Sequence, residues 1–397
     1  MCRTWREIFT SRSSLWTCLD CENADKTRAY LERSRSSPIY VTLYRNQGLL
    51  PDDAIFEINP HAVSRLTTLL IQVAPESLAH ITPRLFHRAP LLKSLWIEAD
   101  RLPEEELYHT ITTSLFGGDL STLCELSLFC IRTDLPWRNM VNLTSFVLAY
   151  PPVEDISITR LLDFLESAPH LEEVELRCVS PPAGQNERVV SLACLKELVV
   201  YDDRPISLLV GHLLIPVGAT LRTEVESDSW INDHLPRSLN NLRNISNFTQ
   251  LRISAGASDW DIECVGPNGR VSLTSLQSLA DPIRMVLEFL DRFDASTVEA
   301  LKITGYDRLP HGLAYLLLLP MKSLRTLTIS PCNTLCPFIH ALNPDVNLER
   351  VLVCPTLEKL VLHTNGEEGR HIRDMKFARA FRGAKLGLVQ IVDGASK

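Results

Sequence analysis

Read as apolar and polar positions, the chain repeats one short pattern. An apolar residue is followed by two variable residues, a second apolar residue, one variable residue and a third apolar residue. It occurs as "LTTLLI" from Leu66, "LKSLWI" from Leu92, "LCELSL" from Leu123, "LTSFVL" from Leu143 and "LEEVEL" from Leu171. It returns as "LKELVV" from Leu195, "FTQLRI" from Phe248, "VEALKI" from Val298, "LRTLTI" from Leu324 and "LEKLVL" from Leu357. A weaker copy, "LRTEVE" from Leu221, sets Glu224 where an apolar residue belongs. The second half of each hexamer alternates with period two, which predicts a strand with one buried face. The steps between hexamers are 26, 31, 20, 28 and 24 residues up to Leu195, and 33 from Leu324 to Leu357. They scatter around the leucine-rich-repeat length of roughly 20–29 residues.

Between the strands, "LLDFLESAP" (161–169), "PRLFHRAP" (83–90) and "NLERVLVCP" (347–355) read as helices halted by proline. Proline disfavours helix at the residue before it and marks a corner. Strand, loop, helix and corner make the unit of a solenoid, in which each unit buries its apolar stripe against its neighbours. The expectation is an α/β fold: a leucine-rich-repeat-like curved solenoid over 55–397. The long step from Phe248 to Val298 contains "WDIECVGPNGRVSLTSL", which predicts a β-hairpin insertion near 256–280 turning at Gly266, Pro267, Asn268 and Gly269. The hairpin is a decoration of the sheet or, less favoured, a ligand loop. At the other end, "EEGRHIRDMKFARAFRGAK" (367–385) is basic after its first two residues, and Ile372, Met375, Phe377 and Phe381 give it a partly amphipathic helix. Its expected role is a C-terminal cap over 367–397, since a solenoid must shield its last repeat, with anionic partners as the weaker alternative.

The first residues predict another amphipathic helix. Trp5, Ile8 and Phe9 share one face, with Arg3, Arg6 and Glu7 turned away. So short a helix does not persist alone, which implies something for it to pack against.

Composition narrows the function classes. The 397 residues are 45% hydrophobic and 22% charged, and the net charge of −8 is spread without runs, which argues against nucleic-acid binding. Eleven cysteines without a recognisable signal peptide imply reduced thiols in the cytoplasm or nucleus. In that setting the glycosylation patterns at Asn142, Asn244 and Asn247 are coincidental. The longest apolar run, Leu313 to Pro320, is too short to span a membrane.

Candidate chemistry changes little. Cys18 with Cys21, and Cys332 with Cys336, have ligand spacing, but compact zinc sites gather both pairs locally. His87, His109, His170, His311 and His371 form no recognisable pairing, and Glu104, Glu105 and Glu106 read as a solvated run. Catalytic motifs are missing, so the expectation is a non-enzyme without metal or cofactor. Binding is then expected on the outward strand positions of the concave face. These are Trp96, Glu98, Glu125, Phe129, Glu173, Glu175 and Arg177, then Glu197, Tyr201, Arg252, Lys302, Lys359 and His363. The first group is acidic with aromatics, the later one basic, a polarity that would orient a partner, with Trp96, Phe129 and Tyr201 as anchors.

"CRTWREI" (Cys2 to Ile8), "LW" at Leu15 and Trp16, "YLERSRSSPIYVTL" (Tyr30 to Leu43) and the repeats up to about Leu362 together resemble the fungal F-box proteins with a leucine-rich-repeat-like C-terminal region. The resemblance implies a substrate-recruiting adaptor of a Skp–cullin–F-box ubiquitin ligase. By that likeness residues 1–22 are the last helical part of an F-box, touching the Skp adaptor through Trp5, Ile8, Leu15 and Trp16. Residues 23–54 are a connecting segment, and the repeats hold an unknown protein substrate. The earlier helices of the box, introduced by a Leu-Pro pair, are expected to be absent, through a misassigned start or loss of the box. The alternative is a stand-alone repeat scaffold that binds protein without ligase attachment.

Overall fold

The computed structural model describes residues 3–21, 23–44, 59–99, 110–111, 115–133, 140–152, 157–179, 188–203, 205–226, 231–256, 259–276, 282–305, 311–330, 335–364 and 369–393. It is a mixed α/β fold with two compact units, residues 1–195 and 196–397. Glu104 to Glu106, His109 and Cys332 lie outside the described residues.

The hexamers explain the sheets. In all ten, the three apolar positions are at most 4% exposed, from Leu66, Leu69 and Ile71 to Leu357, Leu360 and Leu362. In the N-terminal unit the strands are β1 (Cys18–Leu19), β2 (Ile39–Tyr44), β3 (Leu66–Val73), β4 (Ser94–Ala99), β5 (Glu125–Phe129), β6 (Ser145–Ala149) and β7 (Glu173–Arg177). They pair in chain order and in parallel. Leu69, Leu95, Leu126, Phe146 and Val174 share one rung, so the second apolar position of each hexamer sits beside its counterparts. The sheet starts upstream of the boundary expected at residue 55. Ile39, Val41 and Leu43 alternate inward and are buried, so the segment read as a connection supplies a strand of its own.

Helices cover the inward face. α2 (Ala24–Ser34), α3 (Pro75–Ile81) and α4 (Ile158–Ser167) each bury residues, whereas the preceding α1 (Arg3–Ser11) buries none. Ser157 caps α4 by accepting from the Arg160 N–H, and Phe164 packs on Phe146 with ring centroids 4.4 Å apart. The other two proline-halted segments are not α-helical. Residues 83–90 finish a short 3-10 turn of helix (Thr82–Arg84) and then run irregularly, and the Leu85 carbonyl accepts from the Phe116 N–H at 2.6 Å. In 347–355 the Asn347 side chain takes the place of a helical ladder. It donates to the Ala341 and Val351 carbonyls and accepts from the Val351 N–H.

The C-terminal unit holds β8 (Glu197–Asp202), β9 (Thr220–Val225), β10 (Gln250–Ala255), β11 (Trp260–Gly266), β12 (Gly269–Ser275), β13 (Ala300–Thr304), β14 (Thr326–Ser330), β15 (Lys359–Thr364) and β16 (Leu388–Asp393). The hairpin β11–β12 lies within the sheet rather than on its edge. β12 pairs in parallel with β9, and β11 antiparallel with β10, before the parallel ladder resumes at β13. Four helices, α5 (Pro282–Leu290), α6 (His311–Leu318), α7 (Leu335–Leu342) and α8 (Gly369–Phe381), bury Phe289, Leu317, Phe338 and Met375.

The weak copy falls in a different frame from the one read in the sequence. Leu221 pairs with Leu198 and Thr223 with Val200, so the repeat opens at Gly218 and Glu224 is an outward, half-exposed residue. Thr223 is an inward hydroxyl, and it is satisfied by Nδ1 of the fully buried His234 at 2.9 Å. Several strands end on a left-handed residue, Cys130 (φ 54), Tyr150 (φ 53), Cys178 (φ 52) or Gly305 (φ 80). Cys130, Tyr150 and Gly305 donate their N–H to the last residue of the next strand, Ala149, Arg177 and Ser330 respectively.

Gly305 is a tight corner, because a Cβ there would stand 1.9 Å from the Ala255 carbonyl oxygen. Gly305→Ala is expected to lower unfolding stability by about 2–4 kcal/mol in urea denaturation; an unchanged midpoint would contradict the close approach. Burial holds the His234 imidazole neutral down to about 3. The unfolded chain protonates it near 6.5, so the unfolded state binds the extra proton between those values. Stability is therefore expected to fall as pH drops from about 6.5 towards 3. His234→Gln should flatten that limb of a pH–stability curve.

Candidate functional site

The N-terminal sheet turns its other face outward. Along it, the middle outward position of each strand forms one row: Thr42, Leu70, Trp96, Ser127, Val147 and Glu175. The next row runs through Tyr44, Gln72, Glu98, Phe129, Ala149 and Arg177. Trp96 and Phe129, one strand and one position apart, stack with centroids 4.6 Å apart and planes 21° apart. The Trp96 indole N–H donates to Glu98 at 3.2 Å, which fixes the ring's rotation. Leu70 and Val147 flank the pair half-buried, while Tyr40 and Tyr44 are 37% and 42% exposed on β2. An aromatic and aliphatic strip thus runs across five parallel strands. Its rim is acidic: Glu98, Glu125, Glu173 and Glu175 stand against Arg177, which is ion-paired to Glu175.

This geometry suits holding extended chain. Aromatic faces take apolar or cationic side chains, and carboxylates at the rim favour a basic partner. Of the residues expected here, Trp96, Glu98, Phe129, Glu173, Glu175 and Arg177 all point outward from this sheet. Tyr40, Tyr44, Leu70 and Val147 were not foreseen. The alternation of "IYVTLY" carried the signal for the two tyrosines, because Ile39, Val41 and Leu43 occupy the inward set.

In the C-terminal unit the expected residues are also outward, but their charge differs from the sequence reading. Arg252 lies beside Glu263 at 3.0 Å, and Arg270 pairs with the same nearly buried carboxylate. Next to it, Asp261 accepts from Ser272 at 3.1 Å and Thr274 at 3.0 Å, and burial raises its pKa. The hairpin strand therefore inserts two carboxylates between the cations, and this face is mixed rather than basic. The hexamers alone do not show it, since the hairpin falls between them. Tyr201 donates to Glu226 at 2.6 Å, Lys302 is exposed on β13, and His363 is half-exposed on β15.

α1 forms a second surface. None of its residues is buried, and Trp5, Ile8 and Phe9 are 58%, 42% and 41% exposed, with Leu15 at 49%. Trp16 instead anchors the helix. Its indole N–H donates to the Phe9 carbonyl at 2.7 Å, its ring meets Tyr30 edge-on at 4.9 Å, and the Arg33 guanidinium lies 4.3 Å above it. Cys18 is exposed and Cys21 buried, and among the described residues no three histidine, cysteine or acidic side chains come together as a metal site. Among the same residues no helix is long and apolar enough to cross a membrane.

No family model matches the chain, and no curated protein matches it. Among solved structures it is similar to a crystal structure of a protein from Bacteroides fragilis. The identity is 12% and the TM-score 0.24, over 92% of this chain and 77% of that one.

The Trp96–Phe129 stack is expected to show a coupling of about 1 kcal/mol in a double-mutant cycle of Trp96→Ala and Phe129→Ala. Purely additive losses in thermal unfolding would mean the rings do not support each other.

Proposed function

We propose that this chain is a substrate-recruiting adaptor of a Skp–cullin–F-box ubiquitin ligase, built as an irregular leucine-rich-repeat solenoid. In this reading α1 is the last helical part of an F-box and its open face meets the Skp adaptor. The outward strip around Trp96 and Phe129 holds a protein substrate, and neither surface performs covalent chemistry. The observation that carries the reading is the uncovered apolar face of α1. Exposing a tryptophan, an isoleucine and a phenylalanine on one side of a nine-residue helix leaves apolar area that a partner helix would remove from water. The acidic rim of the strip favours a substrate segment that combines basic and apolar side chains.

Co-purification of this chain with a fungal Skp adaptor tests the attachment. Capture is expected, with at least a tenfold loss for Trp5→Ala/Ile8→Ala, whose side chains support no core (about 1.4 kcal/mol). Absence of capture would reject the adaptor reading in favour of a repeat scaffold that binds protein without a ligase. Once a substrate is in hand, Glu173→Lys/Glu175→Lys is expected to weaken it severalfold with unchanged melting. Equal affinity would remove the rim from the site.

A further inference from the structure

The C-terminal helix α8 carries apolar residues on two opposite sides. Ile372, Met375 and Ala378 face the core, at most 5% exposed, together with the fully buried Arg379. Phe377 and Phe381, one turn apart on the other side, are 75% and 84% exposed. The helix thus places the phenylalanines on the side opposite Ile372 and Met375. Arg370, Arg373 and Lys376 share the outer side with the phenylalanines, and none has an ion-pair partner among the described residues.

Beside this stripe lies an open cavity of about 360 Å³. Phe377 forms one wall, Ile339 of α7 and Val346 form the apolar remainder, and the His340 and His371 rings stand 6.3 Å apart. Asp345 and Asp374 also line it. Two arginines hold the cavity's sides together. Arg379 donates to the Leu342, Val353 and Cys354 carbonyls at 3.4, 2.7 and 2.6 Å, and Arg382 reaches the Arg350 carbonyl at 3.3 Å and Asp345 at 3.5 Å. The segment that carries Val346 is thereby tied to α8.

We infer that the outer side of α8 and this cavity dock an acidic amphipathic segment of a partner protein. Charge selects the sign: Arg370, Arg373 and Lys376 on the outer side of α8 outnumber Asp374, and Asp345 is already met by Arg382. Shape selects the class. A cavity walled by Phe377, Ile339 and Val346 accepts one apolar side chain of a peptide, whereas a flat bilayer would leave it empty. A second copy of this chain would set the same cations against each other. None of its residues belongs to the outward sheet strip or to α1.

Panning a phage-displayed library of 16-residue peptides against the full chain tests this. The selected peptides are expected to be net negative with two large apolar residues three or four apart. They are expected to bind at least tenfold more weakly to Phe377→Ser/Phe381→Ser and to Arg370→Glu/Arg373→Glu, and more weakly in added salt. Both variants alter exposed side chains, and matched melting curves establish that they fold. Selection of neutral or basic peptides, no selection at all, or equal binding to the phenylalanine variant would overturn the inference. So would Phe377-dependent sedimentation with phosphatidylserine–phosphatidylcholine vesicles in place of peptide binding, which would assign the stripe to a membrane surface.

Discussion

Each hexamer must hide three apolar side chains on one face of a parallel strand, and every other feature is arranged around that requirement. A single strand cannot meet it, because the side chains on its rung need neighbours above and below and a helical layer in front. Lateral pairing places like positions together, as with Leu251, Leu301, Leu327 and Leu360. Once those rungs are filled, the segments that return the chain are constrained only to cover them. That is why the steps vary so widely in length while the strand stays constant.

Two arginines enter the core and turn their terminal nitrogens onto nearby oxygens. Arg65 is 5% exposed and donates to Ser34 Oγ and to the Arg35 and Ser37 carbonyls, close to the end of α2. Arg379 does the same for the carbonyls that follow α7. In both places a planar guanidinium gathers oxygens that a turning backbone leaves without helical partners. These inward guanidinium groups are directed at backbone carbonyls, while the outward faces carry aromatic rings and charges. A binding strip on such strands is positioned by the same rungs that stabilise the sheet.

The inward set was legible from the sequence because burial imposes a strict period there. The return segments were less so. Asn347 spends its amide on three backbone groups and removes the need for a helix that proline spacing had suggested. The frame around Leu221 was hidden by Thr223, which looks polar in a count of apolar positions but is buried against His234. The hairpin announced itself through Gly266 to Gly269, yet its interior place depends on a pairing between β9 and β12 that lies about 50 residues apart in the chain. On the outward strip, Trp96 and Phe129 could be named from their positions alone. Their stacking, and the contribution of Tyr40 and Tyr44, follow from register, which the sequence does not carry on its surface.

Cysteine recurs at the corners of this fold. Cys21, Cys130, Cys178 and Cys354 all adopt left-handed backbone. Burial pushes the Cys21 and Cys354 thiols up to about 12. Such thiols stay protonated under ordinary conditions and are poor nucleophiles. Cys18 and Cys194, by contrast, are exposed. Exposed thiols and the buried corner thiols of Cys21, Cys130 and Cys354 are thus different members of one residue type. Alkylating dyes or crosslinkers would reach the strand start at Cys18 and the turn at Cys194 before the buried corners at Cys21, Cys130 and Cys354, so the N-terminal unit carries two ready attachment points for a spectroscopic label.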